Sequence, residues 1–231
     1  MSAQEHVRRL WRGRGTTLPT PRRGPRQQLD LDEILAVAIT IADTEGLAAV
    51  STRSVAARFD KTAMALYPYV GTKDNLIALM QDHAVAMPTW ADPGAGYADD
   101  LLAWATALFD VYLTHPWLTS LSWAESGQGP NEQDWLERLL GIMNRWSTPD
   151  ATRVTMLYAT VRATAATAAA YRRMSSDDTE GWLERAQATS RLIPDFRSRY
   201  PLSTALPPVD PDWRETPRAA LTRAVHILTE G

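Results

Sequence analysis

The 231-residue chain predicts an all-α protein: a small N-terminal three-helix unit followed by a larger helical bundle. Three observations lead there. From Leu31 onward apolar residues recur at three- and four-residue steps, the period of a helix with one buried face. No segment shows the two-residue alternation of a half-buried strand. Two short helical stretches, split by a tight turn, follow one longer helix within about 45 residues, the outline of a helix-turn-helix.

In chain order, RGRGTTLPTPRRGPRQQ (12–28) is rich in Gly, Pro and Arg and lacks apolar residues to bury, so an extended, mobile arm is expected over residues 1–28. The first helix carries Leu31, Ile34, Leu35, Ala38, Ile41 and Ala42 on one stripe. Asp30 and Glu33 have capping-box spacing, and Gly46 is its stop. Ser51 caps a second helix reaching Phe59, and Asp60 sits in the turn. A third, brief helix holds Ala63 to Tyr67, with Pro68 expected to end it. Thr72 caps a longer helix bearing Leu76, Ile77, Leu79 and Met80. After the loop PTWADPGAG, helices are expected over 97–114, 131–146, 149–174, 179–193 and 211–229. The domain division is 1–28 (arm), 29–87 (helix-turn-helix with linker helix) and 88–231 (bundle).

Composition narrows the function. There is no cysteine, which removes disulfides, thiolate catalysis and cysteine metal sites. No apolar run approaches the ~18 residues of a membrane span, and the N-terminus lacks the apolar centre of a secretory signal, so a cytoplasmic location is expected. The net charge of −3 conceals an asymmetry. Residues 1–28 carry seven arginines against Glu5, 7 − 1 = +6, leaving −3 − 6 = −9 for the rest. A basic tail on an acidic body suits a polyanion partner.

The segments ILAVAITIADTEGLAAVSTRSVAARF, MALYPYV and TKDNLIALM resemble the DNA-binding domain of the tetracycline-repressor-like (TetR) family of bacterial transcription regulators. Ser51 to Arg53, Leu66-Tyr67, and Lys73 followed by Leu76 fall at that family's spacings. The likeness covers about 50 residues closely; the bundle is similar in architecture only. Asp60 stands where the family usually has glycine, Lys61 where it has an apolar residue, and Pro68 where a larger DNA-facing side chain is common.

The resemblance implies a homodimer on a near-palindromic operator, released by a small effector held in the bundle, with no cofactor. Tyr67, Tyr69, Thr72 and Lys73 are the candidate phosphate contacts, since hydroxyls and ammonium groups fix register on the duplex without reading sequence. Thr52, Arg53, Thr62, Ala63 and Met64 are further DNA-contact candidates; Arg53 faces the major groove and suits guanine, Ala63 and Met64 offer only apolar contact, and Lys61 points at phosphate. Arg22, Arg23 and Arg26 are expected to enter the adjacent minor groove and favour A·T-rich flanks.

In the bundle, RATAATAAAY on the helix from Pro149 and the final helix are the expected dimer face. Trp104, Trp123, Trp135, Met143, Trp146 and Tyr158 are candidate walls for an apolar or aromatic ligand, with Arg162 and Thr164 as polar partners. Repression is favoured, with activation or control by a protein partner as alternatives. Asp99-Asp100 resembles part of a terpene-cyclase acidic motif acting on prenyl substrates. Position 103 is alanine, however, and the four histidines lack metal-ligand spacing, so no catalytic residue is assigned.

Overall fold

The structure is a computed structural model describing residues 2–16, 29–89, 94, 96–121, 128–146, 148–206 and 212–230. Among these, every regular element is helical: α1 (Ala3–Leu10), α2 (Leu31–Glu45), α3 (Thr52–Ala57), α4 (Ala63–Val70), α5 (Lys73–Ala84), α6 (Tyr97–Thr114), α7 (Pro130–Trp146), α8 (Ala151–Arg173), α9 (Ser176–Leu192), α10 (Phe196–Arg199), α11 (Pro201–Thr204) and α12 (Thr216–Thr229), with short 3-10 turns between some of them.

The local chemistry of α2–α5 explains their lengths. Asp30 accepts the Asp32 N–H at the start of α2, and Gly46 ends it at φ 86°, a backbone that side chains resist. Ser51 and Ser54 form a reciprocal capping box at 3.0 and 2.9 Å, which starts α3. The exit from α3 closes by paired bonds, Asp60 N–H to Ala57 and Lys61 N–H to Ala56. This Schellman-type ending requires a left-handed residue, and Asp60 supplies it at φ 53°. α3 therefore stops at Ala57, two residues before the expected Phe59.

α4 runs past Pro68 to Val70, longer than expected. In an eight-residue helix a proline at the sixth position sacrifices one ladder bond, and Val70, fully buried, holds the last turn in place. Gly71 then turns the chain at φ 68°, and Thr72 caps α5. The stripe predicted for α2 is buried as drawn, against Val55, Ala56, Leu66, Val70, Leu76, Leu79 and Met80.

Beyond it, α6 packs on α8 and α12. Trp104 is the centre of this bundle: fully buried, it donates to the Trp135 carbonyl (3.1 Å) and meets Trp135 and Tyr158 edge-on at 5.9 and 5.0 Å. Trp135 in turn donates to the Val85 carbonyl at 2.7 Å. α9, α10 and α11 depart from this core: none has a buried residue, and Trp182, Leu192, Leu202 and Leu206 lie exposed.

The extended arm expected over residues 1–28 is corrected in its first part. Ala3–Leu10 is a helix capped by Ser2, and Leu10 is buried at 3 % exposure. The arginines read as free cations are engaged here by carboxylates and carbonyls: Arg9 by Glu5, Arg12 by Asp32, Arg14 by Asp134. Arg22, Arg23 and Arg26 lie outside the described residues.

Candidate DNA-reading face and effector cavity

The packing that buries Leu66 and Val70 turns the opposite side of α4 outward. Met64 is 72 % and Tyr67 48 % exposed, large values for apolar and aromatic side chains. Arg53, Lys61, Thr62, Thr72 and Lys73 are exposed beside them, and Thr52 and Ala63 are half-buried at the helix starts. Thr72 also accepts the Asn75 N–H, so its hydroxyl serves the helix start.

Tyr69 is placed differently from its expected role. At about 100° per residue it points some 200° from Tyr67. Its ring is half-buried against the core and lines a cleft shared with Pro68, Leu79 and His83.

Two ties join this unit to the bundle besides the backbone of α5. Asp43 on α2 accepts from His115 (2.9 Å) and the Trp117 indole (2.8 Å). Asp82 on α5 accepts the Asn131 and Glu132 N–H groups at 2.9 and 3.1 Å, capping α7 from another helix. Asp82 is 5 % exposed, and burial pushes its carboxyl up to about 6 despite those bonds. Gly129 fits this junction because a Cβ there would stand 2.2 Å from the Asp82 carboxylate.

Between α5, α6, α7 and α8 lies a cavity of about 30 Å³ bounded by Gln81, Val85, Leu108, Tyr112, Leu118, Glu132, Trp135, Tyr158 and Arg162. Of the expected ligand residues, Trp135, Tyr158 and Arg162 meet there. Trp104 and Met143 are core, behind the wall rather than on it, because both are fully enclosed by neighbouring helices. Trp146, 49 % exposed at the end of α7, stacks against Tyr97 instead. Thr164 bonds back to Thr160, and Trp123 lies outside the described residues.

Sequence reasoning missed Gln81, Tyr112 and Glu132. A seven-residue step from Arg162 back to Thr155, or from Tyr112 to Ala105, shows one helix face but not which helices share it. Gln81 donates to Glu132 at 2.7 Å. Burial raises both phenols, opposed at Tyr112 by the Arg162 guanidinium and reinforced at Tyr158 by Tyr112 and Glu132. The cavity therefore presents two phenols kept neutral, the Arg162 guanidinium and the Gln81–Glu132 pair, with Trp135 among its walls. A larger cleft, about 740 Å³, lies under α1, where Arg9, Arg12, Arg14, Asp32 and Asp82 share the walls with Leu10, Pro68, Tyr69 and Leu79. Asp100 of the acidic pair is buried and holds Arg145 at 3.0 Å and the Gly94 N–H, an anchor for the start of α6.

Residues 90–210 match the family model described as "Tetracyclin repressor-like, C-terminal domain", just over half the chain. The chain belongs to the TetR family. It is similar to the HTH-type transcriptional repressor DrrR1 of Streptomyces coeruleorubidus, 31 % identical over 196 residues, covering 80 % of this chain and 72 % of the relative. In fold it resembles ActR of Streptomyces coelicolor in complex with actinorhodin: TM-score 0.73, 22 % identity, 88 % of this chain and 97 % of that one. BioQ with its double-stranded DNA operator is a more distant likeness, TM-score 0.51 at 22 % identity, covering 88 % of this chain and 100 % of that one. Membership of this family makes the protein a transcriptional regulator of the helix-turn-helix type. No helix among the described residues is long and apolar enough to cross a membrane.

Proposed function

We propose that this TetR-family regulator is a cytoplasmic, non-enzymatic repressor whose operator complex is dissolved when an aromatic molecule bearing phenolic or carbonyl oxygens enters the cavity between α5 and α8. One observation carries the reading. Gln81 and Val85 belong to α5, the helix that props α4, and they are also walls of the cavity tied to Glu132 and Trp135 of α7. A space of about 30 Å³ holds roughly one water. A drug-sized ligand needs on the order of ten times more. Entry must therefore displace α5 relative to α7, and α5 carries the reader with it. The ligand binds the displaced arrangement better and shifts the population away from the DNA-competent one.

On DNA, Tyr67 and Lys73 take phosphates, Arg53 addresses base edges, and Met64 and Ala63 give apolar contact. Tyr69 is left out because its ring faces the protein. The second copy docks on the exposed sides of α8 and α12, where Met156, Ala159, Ala163 and Thr167 face Ala220, Arg223 and Ile227; small side chains there let helices approach closely.

The test uses duplex from upstream of the protein's own gene and actinorhodin, the compound held by the structurally similar ActR. Actinorhodin should release the duplex from the wild type, while Arg162→Ala binds the duplex normally and is no longer released. Duplex binding with no response to actinorhodin in either protein would defeat the ligand assignment and leave the DNA reading standing. The arm contribution is tested by replacing Arg22, Arg23 and Arg26 with alanine. Truncating residues 1–25 would remove α1 as well and confuse two effects.

A further inference from the structure

We infer that Arg9, Trp11 and Arg14 are positioning residues for DNA recognition: the N-terminal helix is a splint that fixes the angle between the reader and the bundle. The inference rests on the homodimeric DNA-binding reading above. α1 and the turn after it touch both parts of the molecule, and they do so with different side chains. Toward the reader, Arg9 forks between Glu5 and the Pro68 carbonyl, both at 2.7 Å, the second lying in the last turn of α4 itself. Arg12 pairs with Asp32 at the start of α2 and also donates to the Arg9 carbonyl at 2.9 Å.

Toward the bundle, the Trp11 indole donates to the Gln128 carbonyl at 3.2 Å, just before α7. Arg14 engages Asp134 and, at 3.1 Å, Asn131 in the first turns of α7. Leu10, 3 % exposed, holds the splint down, and Thr16 folds the following turn back onto the Arg8 carbonyl at 2.9 Å. Arg9 is itself 7 % exposed, and its charge is spent on two bonded acceptors rather than on solvent.

The consequence is mechanical. α5 and the Asp43 bonds to His115 and Trp117 join reader to bundle through α5 and α2, and neither holds the recognition helix α4 directly. A further attachment, from the α4 carbonyl to the α7 N-terminus, ties α4 itself to the bundle and limits its tilt. A dimer must present two recognition helices about one turn of DNA apart, ~34–36 Å. Fixing their angle beforehand reduces the ordering cost of binding.

The chain has no cysteine, so Ala36→Cys, on the exposed side of α2, gives one spin label per subunit. Electron–electron dipolar spectroscopy then reads the separation of the two readers across the dimer, without DNA. Arg14→Glu and, separately, Trp11→Ala should widen that distance distribution. They should also weaken binding of the upstream duplex by about fivefold, the low end of coupling between sites. Arg14→Glu combined with Asp134→Arg restores the pair with its signs exchanged and should return both readouts to wild type, whereas Asp134→Arg alone should widen the distribution as Arg14→Glu does. An unchanged width and affinity in both Arg14→Glu and Trp11→Ala, with the wild type binding the duplex, overturns the splint and spares the family reading. Failure of the wild type to bind duplex at low salt would strike that reading itself.

Discussion

Replacing Asp82 by asparagine should change how the stability of the protein depends on pH. The carboxylate is nearly sealed from water and bonded only to backbone N–H groups and the Asn131 amide. Burial raises it from 3.8 to about 6 in the folded protein. A raised carboxyl pKa means that the folded state binds the proton more readily than the unfolded chain. The associated stability is fully present below the unfolded value near 3.8 and is lost as pH rises through about 6. The difference of 6 − 3.8 = 2.2 corresponds to about 3 kcal/mol, at roughly 1.36 kcal/mol per unit. Asparagine keeps the shape and the acceptor oxygen but does not titrate. Urea denaturation of wild type and Asp82→Asn at several pH values from 4 to 7.5, at one protein concentration so that any self-association is held constant, isolates this group, since the remaining titrations cancel in the difference. The wild type should lose about 2 kcal/mol relative to the variant between pH 4 and 7.5, because part of the difference already lies below pH 4. Parallel curves would show that Asp82 is solvated or already compensated, and the account of the α5–α7 junction would fail.

The turn after α3 offers an opposite kind of test: Asp60→Gly should stabilise by about 0.5–1 kcal/mol by relieving a left-handed residue, and Asp60→Val should cost more than about 2, both read from thermal melts. Gly129→Ala drives a Cβ into the Asp82 carboxylate and should destabilise by about 2–4 kcal/mol by denaturant titration, with loss of the α7 cap. Lys73→Ala should weaken duplex binding uniformly across sequences and lower the slope of log affinity against log salt by about 1, measured by fluorescence anisotropy. Arg53→Ala should instead erode discrimination between duplexes by about 1–3 kcal/mol. An equal loss on every sequence would move Arg53 to the phosphate contacts.

Reading the chain alone went furthest where the physics is local. The stripe from Leu31 to Ala42 is buried as drawn because a helix's period is fixed by its own backbone hydrogen bonds. Ser51 and Thr72 cap as expected because a cap bonds within three residues, and Asp30 caps through the Asp32 N–H rather than through a box with Glu33. The turn at Asp60 is legible for the same reason, and its left-handed backbone is seen only in the structure. Local rules misjudged α4, where tertiary burial of Val70 outweighed one bond lost to Pro68. They misjudged residues 3–16 as well, since low apolar content says nothing about carboxylates contributed from Asp32 and Asp134.

Composition and period therefore settle most of the helices and their caps, but not α1, the length of α4 or the inward turn of Tyr69. The cavity belongs to the tertiary structure: Gln81, Tyr112, Glu132 and Arg162 come from four helices, and no spacing within any of them reveals the others. The same is true of the Asp82 cap on α7 and of the Arg9 bond to Pro68, 59 residues away. Side-chain bonds across such separations depend on how whole helices dock, and that is decided by the shape of the shared core rather than by any stretch of chain.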